Sequence, residues 1–153
     1  MLEGDLALAT VARLEPGCTI HVCTACRRQR DDLPDGYDRP GVELASALAA
    51  RLAGSRVAVV EVECLAVCKR PCTIALAADG KWTYLIGDLD TDSHLDEIVG
   101  AAQSFAASAN GIVPWKERPA SFRKGVVARV PPLRAFRSTG SGRTTRIRAH
   151  EIL

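Results

Sequence analysis

Long hydrophobic runs are missing from this sequence. No uninterrupted apolar stretch approaches the roughly 20 residues needed to cross a bilayer, which excludes a spanning helix and a membrane partner. A basic leader is missing too. Met1-Leu2-Glu3-Gly4-Asp5 is acidic, and Arg13 and Glu15 interrupt the apolar residues that follow, unlike an export signal. The expectation is a cytoplasmic, reducing setting, where permanent disulfides are rare. There is no Ser/His/Asp arrangement, phosphate-binding loop or carboxylate pair, and His21, His94 and His150 form no cluster. A hydrolase or transferase is therefore not expected, and there is no internal repeat.

What is present is a chain of 153 residues, 47% apolar, with six cysteines. A domain of this length buries about 68–70% of its unfolded surface and needs no cross-links to make a core. Clustered cysteines in a reducing compartment then point to metal binding or redox chemistry. Charge is unevenly spread. Residues 1–115 hold 10 basic and 16 acidic side chains, whereas residues 116–153 hold 10 basic and 2 acidic.

Thr19 to Cys23 is a β-branched run that reads as a strand. Arg27 to Arg39, polar and interrupted by Pro34 and Gly36, reads as a loop. Pro40 is placed to open a helix, with Leu44, Leu48 and Leu52 on one face and Gly54 near its end. The compact Val57–Val62 run is expected to be a strand covered on both faces. Thr73–Ala77 and Lys81–Ile86 flank Asp79-Gly80, a hairpin signal. Ser93 and Asp96 have capping-box spacing ahead of a stripe of Leu95, Ile98, Val99 and Ala102. The order strand, helix, strand, hairpin, helix predicts an α/β fold, a thioredoxin-like sheet with flanking helices, with its first two strands parallel. The domain is expected over residues 1–109. Residues 110–133 are expected as an extended arm packed on it, and residues 134–153 as a basic flexible tail.

Cys23 and Cys26 follow the first strand, and Cys64 and Cys68 follow the Val-rich one. Parallel strands end at the same sheet edge, so the two pairs can converge there. Four thiolates at one place suit zinc or an iron–sulfur cluster. Cys72, four positions beyond Cys68 and next to Pro71, is a further candidate ligand, a gate for ligand exchange, or a core residue. Cys18 is a poorer one, because an extended Thr19–Cys23 segment holds it about 16 Å away. Arg27, Arg28, Lys69 and Arg70 flank the pairs, where they either favour thiolate and offset its charge or are solvated loop charges.

From Cys23 to about Val99 the chain resembles the thioredoxin-like [2Fe-2S] ferredoxins, through Cys64-x3-Cys68, Pro71, a strand, Asp79-Gly80-Lys81-Trp82 and a helix. More of it resembles an uncharacterised bacterial family described as predicted metal-binding. That resemblance rests on Cys23-Thr-Ala-Cys26-Arg27, Cys64-Leu-Ala-Val-Cys68-Lys-Arg-Pro-Cys72, Gly80-Lys-Trp-Thr-Tyr, Gly87-Asp-Leu, Val113-Pro-Trp and Arg118-Pro119. The ferredoxin likeness implies a [2Fe-2S] electron carrier on Cys23, Cys26, Cys64 and Cys68. Those ferredoxins space their first two cysteines more widely, so Cys26 supplies the second ligand unless Cys72 does.

The alternatives are a structural zinc or metal-handling protein, and a dithiol oxidoreductase using Cys23-x2-Cys26. For the latter, Pro34, Gly36 and Pro40 delay the helix whose N-terminus would activate the first thiol, and Cys64 and Cys68 would have no role. An electron carrier or metal-binding protein is expected rather than an enzyme. The expected partner is a redox protein, with homodimerisation allowed. A nucleic-acid ligand is disfavoured, since Phe136 is the only aromatic residue from Leu133 onward.

Overall fold

A computed structural model describes residues 16–133. Strand β1 (Cys18–Cys23) lies inside the sheet, with Cys18, Ile20 and Val22 fully buried. The polar segment after it, expected as a loop, carries two short paired strands, β2 (Arg28–Gln29) and β3 (Tyr37–Asp38). Gly36, at φ 70°, makes the turn between them in a conformation that suits glycine. This small hairpin carries the chain back to the end of β1, where helix α1 (Pro40–Leu52) begins.

Proline at the first helical position is pre-set for the helix and has no N–H to leave unpaired. Leu44, Ala45, Leu48 and Leu52 form the buried stripe of α1, each leucine contributing about 1.5–3 kcal/mol by leaving water. Its first turn lies so close to β1 that a Cβ on Gly41 would collide with the Cys23 carbonyl oxygen.

β4 (Val57–Val62) pairs in parallel with β1, from Cys18↔Val57 to Cys23↔Val62. The expectation that it is covered on both faces is corrected. β4 is an edge strand with Val57 buried but Val60 42% exposed and Glu61 exposed. Its valines face α1 on one side and β1 along one edge, which a continuous apolar run cannot distinguish from full burial.

β5 (Ile74–Ala77) and β6 (Thr83–Ile86) form the hairpin expected at Asp79-Gly80, with Gly80 at φ 71°. Helix α2 (Thr91–Ala107) starts a turn earlier than the Ser93 spacing suggested. Asp90 is its cap, accepting hydrogen bonds from the backbone N–H of Asp92 at 2.8 Å and Ser93 at 3.3 Å. Its last turn has no basic residue. Lys81 instead reaches across from the hairpin to donate to the Phe105 and Ala106 carbonyls, both at 2.9 Å. A cation there offsets the negative end of the helix dipole.

Residues 110–133 differ from the expected extended arm. They contain a 3₁₀ turn (Trp115–Glu117), the short helix α3 (Ala120–Lys124) and β7 (Val126–Val130), which pairs antiparallel with β6. The sheet therefore has five strands in the order β4-β1-β5-β6-β7, flanked by α1 and α2, a thioredoxin-like α/β arrangement. The basic tail at 134–153 and the first fifteen residues lie outside the described part. Among the described residues no helix is long and apolar enough to cross a membrane.

Gly41→Ala is expected to destabilise the fold by about 1–3 kcal/mol, because backbone must move to admit the methyl group. Gly100→Ala, in α2 with open space around it, is expected to stabilise by about 0.5–1 kcal/mol. Thermal or denaturant unfolding of both variants checks the pair; a Gly41→Ala protein as stable as the parent would contradict the packing described.

Candidate metal centre

Both parallel strands run out at one edge, and their loops keep pairing beyond it. The Thr24 N–H donates to the Val62 carbonyl at 2.9 Å and the Ala25 N–H to the Glu63 carbonyl at 3.0 Å. The Thr24 hydroxyl donates to the same Val62 oxygen at 3.1 Å. The Cys23–Cys26 loop is thereby fixed beside the segment that leads into Cys64. Cys23 Sγ lies 3.8 Å from the Glu63 carbonyl oxygen.

The cysteines fall into an inner and an outer pair. Cys26 Sγ donates to Cys23 Sγ at 3.1 Å, and both residues are buried, at 2% and 1% exposure. Cys64 and Cys68 are exposed. In the loop between those two, Ala66 has φ 61°, a left-handed conformation costing about 1–2 kcal/mol for a residue with a Cβ. The Ala66 N–H donates to Cys64 Sγ at 3.2 Å.

Burial alone would raise the Cys23 thiol. The hydrogen bond from Cys26 and the backbone N–H groups of Leu65, Cys26 and Ala25 outweigh it and hold the group below the ordinary thiol value. Cys26 moves the other way, pushed up to about 12 by burial and then by the neighbouring Cys23. Cys68 is raised mainly by the adjacent Cys64 sulfur, with a smaller contribution from Cys23. Cys23 is thus the sulfur through which the two pairs feel each other. Among the described residues no group of three or more cysteine, histidine or carboxylate side chains is gathered to hold a metal ion. The thiols are arranged as two neighbouring pairs.

Cys72 lies behind the inner pair. It is 1% exposed and belongs to the main core, and it exchanges backbone hydrogen bonds with Leu89 at 3.1 and 3.0 Å. Burial, then Cys23, pushes its thiol up to about 11. Cys18 is at the opposite end of β1, fully buried, and is raised to about 12 by burial. Of the histidines, His94 uses Nδ1 to accept a hydrogen bond from the Asp90 N–H at 3.0 Å. His21 lies on β1 and His150 lies outside the described residues.

The ring of cations expected around the cysteines is largely compensated. Arg28 pairs with Asp38 at 2.8 Å and with Asp90 at 3.4 Å, and Arg70 pairs with Asp88 at 2.7 Å. Arg27 lies over the Tyr37 ring at 5.8 Å. Lys69 makes no ion pair among the described residues. The partner carboxylates come from β3 and from either side of Leu89, positions that only the folded chain brings near the cysteines. Gly41, whose missing side chain lets α1 approach Cys23, was likewise not legible as a site residue, since a glycine after Pro40 reads simply as a helix start.

The donor set is two cysteine pairs on the loops that leave one sheet edge, with the Ala66 N–H directed at Cys64 Sγ. No curated protein sequence matches the chain. Among solved structures it is similar to a thioredoxin-like [2Fe-2S] ferredoxin from Aquifex aeolicus, at 16% identity and a TM-score of 0.48 over 75% of this chain and 94% of that one. A cysteine-to-serine variant of the thioredoxin-like [2Fe-2S] ferredoxin from the same organism gives 14% identity and a TM-score of 0.47, over 72% and 98%. The sequence profile of a family of proteins of unknown function, DUF1636, matches residues 20–132, and the chain belongs to that family.

Proposed function

We propose that this protein is an electron carrier holding a [2Fe-2S] cluster on Cys23, Cys26, Cys64 and Cys68, with Cys72 as a neighbour of the inner pair. The observation that carries the reading is the pairing of the cysteines at the ends of two parallel strands. One pair per iron is the demand of a dinuclear cluster, whereas a structural zinc asks for one four-way convergence. A cluster held there supplies single-electron transfer. The protein's own part is to hold the sulfurs, with the Ala66 N–H directed at Cys64 and the local backbone lowering the Cys23 thiol. Such bonds stabilise the added negative charge of the reduced state. The exposed Cys64 and Cys68 form the face through which a redox protein exchanges the electron. A cytoplasmic setting suits six free thiols.

A dithiol oxidoreductase is less well supported. The late helix does return to Cys23, so lack of a nearby helix start is not the objection that the loop length suggested. The objection is access. Thiol–disulfide exchange needs direct attack on or by a sulfur, and both inner cysteines are at most 2% exposed.

Protein produced with iron and handled without oxygen is expected to be brown, to bleach on reduction, and to yield iron and sulfide in equal amounts. Colourless protein holding zinc and no sulfide after the same handling would leave the structural-zinc alternative in its place. Single alanine substitutions of Cys23, Cys64 and Cys68 should each sharply reduce bound iron, while Cys18→Ala should leave it unchanged. Cys26→Ala and Cys72→Ala are to be compared directly; retention of the cluster in the first and loss in the second would assign Cys72 as the fourth ligand.

Asp88→Asn frees the Arg70 guanidinium close to Cys68. It is expected to raise the reduction potential by an amount on the order of tens of millivolts, the size of an unscreened charge near the centre. A potential that falls would show that the Arg70–Asp88 pair does not act on the cluster as a compensated charge.

A further inference from the structure

The segment from Trp115 to Val130 carries Lys116, Arg118, Arg123, Lys124 and Arg129 against a single acid, Glu117. None of these five cations forms an ion pair among the described residues, whose ion pairs belong to Arg28, Arg30, Arg51 and Arg70. The three arginines are organised instead on aromatic rings. Arg129 lies 4.9 Å from the Trp82 centroid and 6.0 Å from that of Tyr84; Arg118 lies 5.4 Å from Tyr84 and 5.6 Å from Trp115; Arg123 lies 5.9 Å from Trp115.

Backbone carbonyls fix two of the guanidinium groups. Arg118 donates to the Val113 carbonyl at 2.8 Å, and Arg123 donates to the Trp115 and Lys116 carbonyls at 3.2 and 3.0 Å. Cation–aromatic contacts and carbonyl bonds orient these charges without neutralising them. The result is a pre-organised positive face lacking its counter-charge.

This face reaches the cysteine edge. Arg70, two residues past Cys68, donates to the Lys124 carbonyl at 3.4 Å. Lys116, Arg123 and Lys124 are exposed, as are Cys64 and Cys68. We propose that this face docks the carboxylate-rich surface of a protein partner and holds it against the Cys64–Cys68 edge. The partner's role as electron donor or acceptor rests on the function proposed above; the docking does not.

A protein fits better than a single-stranded nucleic acid. Binding of the latter uses open aromatic faces on which bases stack. Trp115, although 59% exposed, already carries two guanidinium groups, and Trp82 and Tyr84 are buried beneath Arg129. Complementary charge of this kind chiefly sets encounter rate and orientation, which suits a partner that must present a redox group to one edge.

The full chain, prepared without oxygen, is titrated with a dye-labelled Glu-rich peptide and, separately, with an oligothymidylate of equal charge. The peptide should bind more tightly than the oligonucleotide, and more weakly as salt is raised. The variant Lys116→Glu/Arg123→Glu/Lys124→Glu should lose about tenfold or more in peptide affinity. Arg30→Glu/Arg51→Glu/Arg56→Glu makes the same change in net charge at exposed positions elsewhere and should lose far less. Glutamine substitutions at the first three positions give a milder version, and circular dichroism and metal content verify that each variant is intact. Equal loss in both triple variants would reduce the effect to net charge and overturn the proposal, and tighter binding of the oligonucleotide would assign the face to nucleic acid instead. A wild-type protein that holds zinc but still discriminates between the variants would overturn the redox role alone.

Discussion

Parallel pairing of β1 with β4 is the constraint on which the site depends. Parallel strands need a crossover, here the β2–β3 hairpin and α1, and in return they bring both C-terminal ends to one edge. An antiparallel arrangement of the same six-residue strands would put the two cysteine loops at opposite ends, separated by about 20 Å at 3.3 Å per residue. Register matters as much as direction. With Cys23 opposite Val62, the bonds from Thr24 and Ala25 continue the ladder past the strand ends. The backbone of one cysteine loop thereby anchors the other.

Around that edge, negative charge on sulfur is met by backbone amides more than by side-chain cations. The arginines nearest the cysteines are bound by Asp38, Asp90 and Asp88. The Ala66 N–H donates to Cys64 Sγ, and the backbone around Cys23 lowers its thiol. Amides are fixed by the fold, so they hold their orientation whatever the salt concentration, whereas exposed cations are screened within a Debye length of about 10 Å. The left-handed Ala66 follows from the same demand. Its conformational cost is accepted where a tight Cys64–Cys68 loop must turn an N–H back toward its own sulfur.

Much of this was legible in the chain. The β-branched run before Cys23, the leucines of α1 and the Asp79-Gly80 turn each carry a local signal, and each element formed where that signal lies. Errors arose where local pattern is silent about neighbours. Val57–Val62 has the composition of a covered strand, yet its edge position leaves Val60 exposed. Val126–Val130 sits in a basic segment and was not recognised as a strand, because its place is set by pairing with β6 rather than by alternation of its own. The cysteine pairs were readable by spacing. Their division into an inner, buried pair and an outer, exposed one was not, since burial depends on how distant segments pack around each loop and spacing is silent about that.

That division also bears on the choice between the proposed electron transfer and dithiol chemistry. A disulfide exchanger must let a substrate sulfur come into line with its own thiolate, so its first cysteine has to be reachable. Cys23, the one cysteine whose thiol is held below its ordinary value, is 1% exposed. Lowered pKa and closed access make a poor nucleophile and a good ligand. Single-electron exchange through a bound cluster forms no bond between partner and sulfur, and needs only that some part of the centre lie close to the surface. The exposed Cys64 and Cys68 meet that requirement while the inner pair remains protected from solvent. Burial on one side and exposure on the other therefore support the proposed electron transfer over dithiol chemistry more strongly than the presence of four cysteines does.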